Sequence, residues 1–211
     1  MSINPKELPG KTVERLSQYR RTLLNYSQSG KFNIFSHELA KLLHITSVQV
    51  RRDIMLIGYS GSQRKGYDIK ELINKIGSII DTKEGQNVAV IGMGSLGGAI
   101  TRYFKGKRPK LNIVAAFDID PQKFNKVISG IPCHSMEKLN SIAKKKNITL
   151  AIITIPPDNV VKTAEKLVKA GIKGIVNYSS VPLNVYPNAY LEEYDMITSL
   201  EKAAYFAKKS K

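Results

Sequence analysis

The sequence predicts an α/β protein in two parts: a small helical unit, then an open and mostly parallel sheet with helices on both faces. Three observations carry that expectation. Up to about residue 80, apolar residues recur at helical spacing around one turn-rich basic segment. After about residue 86, short apolar strands alternate with helices, as in βα units. Between them, Ile79-Ile80-Asp81-Thr82-Lys83-Glu84-Gly85-Gln86 loses the apolar period and reaches a glycine, which marks a linker.

The bulk numbers fit this plan. A chain of 211 residues with 42% apolar and 24% charged residues has room for one or two cores, and wholesale disorder is excluded. No apolar run approaches the roughly 20 residues of a membrane-spanning helix. Met1-Ser2-Ile3-Asn4-Pro5 lacks the apolar stretch of a signal peptide. The single cysteine, Cys133, rules out an internal disulfide and fits a reducing cytosol, so a cytoplasmic protein without a membrane partner is expected. Cys133 and His134 make two adjacent ligands, not four, so no metal site is expected. The formal charge of +16 fits a polyanionic partner. The excess is spread over both parts, with a run at Arg102, Lys105, Lys107, Arg108 and Lys110. On charge alone a lysine-rich solvated surface explains it as well.

In the first part, Thr12–Ser27 reads as a helix with Val13, Leu16, Leu23 and Leu24 near one stripe. Phe32-Asn33-Ile34-Phe35 leads to Ser36, the expected N-cap of a short helix through Leu43. The turn His44-Ile45-Thr46 follows, and Ser47 is the expected cap of a second helix to about Ile57. Two short helices joined by such a turn match the helix-turn-helix pattern. His44 stands where Gly is common, and His tolerates positive φ better than most residues. Gln49 and Arg52 share a polar face of the second helix, with Val48, Met55 and Leu56 expected inward. Arg and Gln bond base edges in the major groove, and Arg51 is placed to clamp a phosphate. The alternative is a solvated helix with an intrahelical Arg–Asp pair. Glycines then bracket a basic tip in Gly58–Tyr67. A β-hairpin with Arg64 and Lys65 at its tip would form a wing, although an ordinary surface loop is also basic and Gly-rich. In that order, helix pair and hairpin predict a winged-helix DNA-binding domain over residues 1–80. Its expected contacts are Ser47, Gln49, Arg51, Arg52, Arg64, Lys65 and Tyr67.

The second part is clearer. Asn87-Val88-Ala89-Val90-Ile91 is a buried strand, and Gly92-Met93-Gly94-Ser95-Leu96-Gly97 follows it and opens a helix to about Phe104. A second strand, Ile113–Phe117, ends in Asp118, about 20 residues after the last glycine. This is the Rossmann dinucleotide pattern. Gly92 allows the turn, Gly94 lets the backbone approach a pyrophosphate, Gly97 lets helix pack on strand, and the helix N-terminus attracts the phosphates. Structural glycines in an empty turn are the alternative. Further units follow, with strands near Ile131–His134, Leu150–Ile155, Ile172–Tyr178 and Tyr190–Met196, and helices near Met136–Lys145, Val160–Ala170 and Thr198–Lys209. Thr154, Ile155, Pro156, Asn177 and Tyr178 thus end parallel strands on the ligand-binding edge. The cofactor expected over residues 81–196 is NAD(H). Asp118 and Asp120 would repel a 2′-phosphate, and no Arg follows Asp118 immediately.

The order of these pieces resembles the Rex family of redox-sensing transcriptional repressors. The likeness covers nearly the whole chain. It rests most on Arg15-Leu16-x-x-Tyr19, Gln49-Val50-Arg51-Arg52-Asp53 with Gly66-Tyr67, Ala115-Ala116-Phe117-Asp118-Ile119-Asp120, and Ala170-Gly171-Ile172-Lys173-Gly174-Ile175. The resemblance implies a homodimer that binds inverted-repeat operator DNA and releases it when NADH binds. It also implies that the C-terminal helix, residues 197–211, swaps between subunits. The apolar stripe Leu200, Ala203, Ala204 and Ala207 suits that place. Tyr103 and Asp195 are then expected to meet between subunits, with Arg15 as the competing partner of Asp195. Two stretches depart from the family. Ser60-Gly61-Ser62-Gln63-Arg64-Lys65-Gly66 replaces a Gly-rich Phe-Gly-x-x-Gly wing, and Asn177-Tyr178-Ser179-Ser180 replaces Asn-Phe-Ala-Pro.

An NAD-dependent dehydrogenase with an accessory domain is the rival from another class. Hydride transfer needs a proton relay beside the nicotinamide. His37 and His44 fall in the helix-turn-helix, and His134 has no obvious partner. Tyr103/Lys107 and Tyr205/Lys209 lack the setting of a dehydrogenase site, and little chain is left for a substrate domain. A CoA-binding regulator on the same fold is disfavoured by the position of Asp118.

Overall fold

The computed structural model describes residues 8–104, 106–108 and 110–208, so Lys105, Lys209 and Met1–Pro5 lie outside the described residues. Two compact units divide the chain, the first ending at Lys83 and the second beginning at Glu84.

The first unit runs α1 (Gly10–Gln28), β1 (Asn33–Ile34), α2 (Ser36–Leu43), α3 (Ser47–Leu56), β2 (Tyr67–Asp68) and α4 (Ile69–Ile80). Leu16 and Leu23 of α1 are fully buried, whereas Val13 faces out. His44 ends α2 in the left-handed conformation at φ 54°, as its place in the turn requires. Both caps fall one residue earlier than expected, because the last residue with extended backbone holds the cap. Thr46, not Ser47, accepts the Gln49 N–H on its Oγ1 at 3.1 Å. Phe35 precedes α2, and its N–H donates to Glu38 Oε2 at 2.7 Å.

The inward face of α3 also differs from expectation. Val50, Asp53, Ile54 and Ile57 are buried, while Val48, Met55 and Leu56 are exposed. Pattern reading assigns an aspartate to the solvent side; here its charge is compensated inside the unit. The basic segment closes through a single antiparallel bridge, a minimal hairpin with Arg64 and Lys65 in its tip. Ser62 and Gly66 exchange two backbone bonds of 2.8 Å around Gln63-Arg64-Lys65. β2 pairs with the distant β1, Ile34 opposite Tyr67. The sequence reading assigns no separate helix to residues 69–80. There α4 starts at the Asp68 cap, buries Ile69, Leu72 and Ile76, and packs along α1.

The second unit is a seven-stranded sheet in the order β5-β6-β4-β3-β7-β8-β9. Its strands are β3 (Gln86–Ile91), β4 (Leu111–Asp118), β5 (Val127–Ile128), β6 (Ile131–Ser135), β7 (Ile148–Ile153), β8 (Gly174–Asn177) and β9 (Tyr190–Glu193). Every pairing is parallel except β5 with β6. Helices α5 (Ser95–Phe104), α6 (Leu139–Lys145), α7 (Val160–Lys169) and α8 (Met196–Ala207) complete it. Alternation along β3 feeds two cores: Ala89 and Ile91 join Phe117 and Ile153 on one face, while Val88 and Val90 join Ile100 and Cys133 on the other. The strand order reverses between β3 and β7, where doubly wound sheets open a crevice. No residue of α8 is buried among the described residues, and Met196, Ile197, Leu200, Tyr205 and Phe206 are all exposed. Among the described residues, no helix is long and apolar enough to cross a membrane.

Candidate nucleotide cleft and nucleic-acid interface

The crevice is built by glycines that differ in purpose. Gly92 turns the chain out of β3 at φ 92°, and a Cβ there would approach Ile155 Cγ2 to 2.6 Å and Thr154 O to 2.9 Å. A Cβ at Gly97 would collide with the Gly92 carbonyl oxygen, so only glycine lets α5 lie this close to the turn. Around Gly94 nothing lies within 4 Å of an added Cβ. That backbone therefore faces open space at the start of α5. Thr154 Oγ1 lies 2.9 Å from the Ile91 carbonyl oxygen and 2.8 Å from that of Gly92, pinning the β7 end to the turn.

The cleft in front of this turn has a volume of about 440 Å³, and its lining includes Gly92, Gly94, Asp118, Thr154, Ile155 and Pro156. Asp118 ends β4, only 6% exposed. Its Oδ2 accepts the Met93 N–H at 2.8 Å and Lys123 Nζ at 2.9 Å, and its Oδ1 accepts the Asp120 N–H at 3.0 Å. Burial pushes this carboxyl up, but the three donors outweigh it and hold the group below the usual range. Lys123 is raised by its bond to Asp118. It reaches that place on a one-turn 3₁₀ helix, Pro121–Lys123, capped by Asp120. The acid at the end of the second strand thus also fastens the glycine turn.

Several expected cofactor residues have other duties. Met93 is buried and reaches Asp118 through its backbone, while Ser95 and Leu96 open α5 beside the packing glycine, Gly97. Asn177 and Tyr178 do not belong to the described lining of the cleft. Asn177 is fully buried and staples the turn after β8: its Nδ2 donates to Val181 O at 2.8 Å, and its Oδ1 accepts the Ser179 N–H and hydroxyl. Tyr178 stacks on Tyr194 with ring centroids 5.1 Å apart. Ring stacking at Tyr178 and three hydrogen bonds at the Asn177 amide engage both side chains.

On the first unit, Val48, Arg51, Arg52 and Met55 share the exposed face of α3, spaced three and four apart. Ser47 begins that helix half-buried, and Arg51 Nη1 donates to Ser36 Oγ at 3.2 Å. Arg64 and Lys65 are exposed on the bridged loop. Tyr67 is a correction: at 8% exposure it belongs to the core, its ring beside that of Tyr59, and it supports the loop from beneath. Asp53 takes its arginine from α1, not from its own helix. Arg15 Nε donates to Oδ2 at 2.6 Å and Nη2 to Oδ1 at 2.8 Å, Tyr19 OH donates to Oδ2 at 2.7 Å, and Gln49 Nε2 to Oδ1 at 2.9 Å. Burial pushes Asp53 up, yet these bonds prevail and its pKa lies below the usual value. Tyr19 is pushed up by burial and by the same acid.

Of the expected switch residues, Arg15 is therefore engaged with Asp53. Tyr103 is exposed, with Lys107 Nζ 3.2 Å from its ring centroid. Asp195 caps α8, its Oδ1 accepting the Ile197 and Thr198 N–H groups at 2.9 and 3.1 Å. Among the described residues, no cluster of three or more His, Cys, Asp or Glu side chains is placed to hold a metal ion.

Known proteins match both units. A family model described as CoA binding domain covers residues 83–181, and one described as putative DNA-binding protein N-terminus covers residues 7–54. The redox-sensing transcriptional repressor Rex of Lactobacillus gasseri is 33% identical over 200 residues, 95% of this chain and 94% of that protein. The chain belongs to the Rex family. Rex 2 of Enterococcus faecalis is equally similar, 33% identical over 95% of this chain and 94% of its own. Three crystal structures of RSP, a Rex-family repressor, each superpose over 96% of the chain. The RSP complex with NAD⁺ and operator DNA has a TM-score of 0.87 at 31% identity and 93% coverage of that chain. The complex with NADH has 0.84 at 30% and 95%.

Within this Rex chain, sequence reading missed two residues and mistook a third. Lys123 carries no motif, and it lies five positions after its acid. Tyr19 was noted only as part of a resemblance. For Asp53 the alternative reading offered an arginine of its own helix, although the spacing of four from Gln49 is a signal for a different partner.

Proposed function

We propose that this chain is a transcriptional repressor that binds operator DNA as a homodimer and leaves it when NADH binds, so reporting the NADH/NAD⁺ balance in the cytoplasm. The observation that carries this is the open backbone at Gly94 beside a buried Asp118, in one chain with a basic helix-turn-helix. Gly92–Gly97 and the N-terminus of α5 would hold the pyrophosphate, and Asp118 the adenosine ribose. Thr154, Ile155 and Pro156 would meet the nicotinamide half. NADH and NAD⁺ differ only at that ring, in charge and planarity, so discrimination arises there.

The division of labour we favour is DNA binding by residues 1–80, cofactor binding by 81–196, and dimerisation through 197–211. Five large apolar side chains exposed on α8 support the last part, because a surface helix of this kind is stable when a partner covers it. A swapped position in the second subunit, with Tyr103 and Asp195 meeting across the dimer, is consistent with that exposure. A dehydrogenase finds less support. The described residues lining the cleft include no His or Tyr, and their one lysine is paired with Asp118.

Titrating an operator complex with NADH and with NAD⁺, beside an assay for NADH turnover, tests the reading. Release by NADH at concentrations where NAD⁺ leaves the complex intact, without turnover, is the expected result. Turnover without DNA binding would replace the repressor by the enzyme.

A further inference from the structure

The Asp53 carboxylate is fully buried and accepts four bonds, two on each oxygen, so all its lone pairs are in use. An ionised carboxylate only accepts. The group of Gln49 that faces it must therefore be the amide nitrogen, and turning that amide over would set oxygen against oxygen inside the unit. Gln49 lies in the first turn of α3, where a recognition helix presents side chains to base edges. With one N–H given to Asp53, the side chain keeps one N–H and its carbonyl oxygen, and neither has a partner among the described residues.

We propose that Asp53 is the positioning residue that decides which base edge Gln49 reads: it locks the amide as one donor beside one acceptor, which suits adenine and rejects guanine. Adenine offers N7 as acceptor and N6 as donor in the major groove, whereas guanine offers two acceptors, N7 and O6. A free glutamine can straddle N7 and O6 with both amide hydrogens. Gln49 has already spent one of them. Arg15 and Tyr19, reaching across from α1, hold the acid in turn, so base preference on α3 depends on a helix that need not touch DNA. The idea rests on the DNA-binding reading above and deepens it.

The test selects binding sites for the full chain from a DNA pool randomised over the operator length, using the wild type, Asp53→Asn and Gln49→Met. The wild type should require A·T at one position of each half-site. Replacing that adenine with 7-deazaadenine, which lacks the N7 acceptor, should weaken binding about tenfold. Gln49→Met should ignore the replacement. Asp53→Asn should lose most of the preference for A over G there, while preferences at other positions stay unchanged. A purely structural acid would lower affinity for every sequence by one factor, and that result overturns the proposal. Nitrogen-15 spectra of the free wild type test the lock if the variant folds poorly. One Gln49 side-chain proton should be shifted downfield and should move as Asp53 titrates; values of a free glutamine would overturn it. Specific DNA binding with no adenine preference sinks this inference alone, whereas no DNA binding at all sinks the function proposed for the chain.

Discussion

Lys123 Nζ lies 2.9 Å from Asp118 Oδ2 and 3.8 Å from Asp120 Oδ2, so the acids at the end of β4 share a cation five residues on from the first. The sequence expectation weighed the two acids against a 2′-phosphate without this lysine. NADH is still expected to bind more tightly than NADPH, because two carboxylates outnumber one ammonium. Lys123→Ala should widen that preference about fivefold, about 1 kcal/mol, the size of a charge pair at about 4 Å screened by water. Calorimetry with both cofactors on both proteins decides it. A narrower preference in the variant would mean the lysine does not face the ribose.

The glycines separate folding from ligand approach. Gly97→Ala should destabilise the second unit by about 1–3 kcal/mol, since its Cβ meets the Gly92 carbonyl. Gly94→Ala has space, so its melting temperature should match the wild type, yet NADH affinity should fall about tenfold or more if phosphates take that space. Unchanged affinity in the folded Gly94→Ala protein would move the pyrophosphate elsewhere.

Acid should unfasten the first unit through Asp53. Its folded pKa lies below the ordinary 3.8, so its contribution is complete above that value and is lost as pH falls through it toward the folded value. Asp53→Asn should flatten the fall in melting temperature below about pH 4.5. Arg15→Ala leaves a buried acid without its cation and should cost about 3–5 kcal/mol near pH 7. If the wild type and Asp53→Asn melt in parallel across this range, the acid's titration does not govern the unit.

Arg64 and Lys65 stand exposed on a loop braced by the Ser62–Gly66 bonds. Replacing both with Ala should weaken binding to all DNA sequences alike. It should also lower the slope of log affinity against log salt by about 1–2, because each phosphate contact releases about one counterion. An unchanged slope would remove the loop from the interface.

Asp195 does two things that one substitution would confuse. It caps α8, and the switch expectation also gives it Tyr103 and Arg15 as alternating partners. Asp195→Asn keeps a capping oxygen and removes the charge. With this variant, the loss of operator affinity caused by saturating NADH should shrink about tenfold, a coupling of about 1.4 kcal/mol. Fluorescence anisotropy with and without NADH reads it, and a full wild-type effect in the variant places the switch elsewhere.

Periodicity along the chain was enough for the alternating strands and helices of the second unit and for the glycine turn. Spacing and residue type also placed Asp118, His44 in a turn that admits positive φ, and Arg52 on the polar side of α3. These features are local: a strand buried on both faces, a turn that needs positive φ, and a helix repeat write themselves into neighbouring residues. The inward face of α3 was not legible, because Asp53 goes inside only when Arg15 and Tyr19 arrive from a helix more than thirty residues away. The same holds for Lys123 beside Asp118, for β1 finding β2, and for the bond from Asn177 to Val181 and the stacking of Tyr178 on Tyr194. Each depends on a partner supplied by packing, and a charge or an amide states its preference for company without saying where that company will stand. The local pattern determined which elements form; tertiary contact decided which polar groups are held and which remain to meet a ligand.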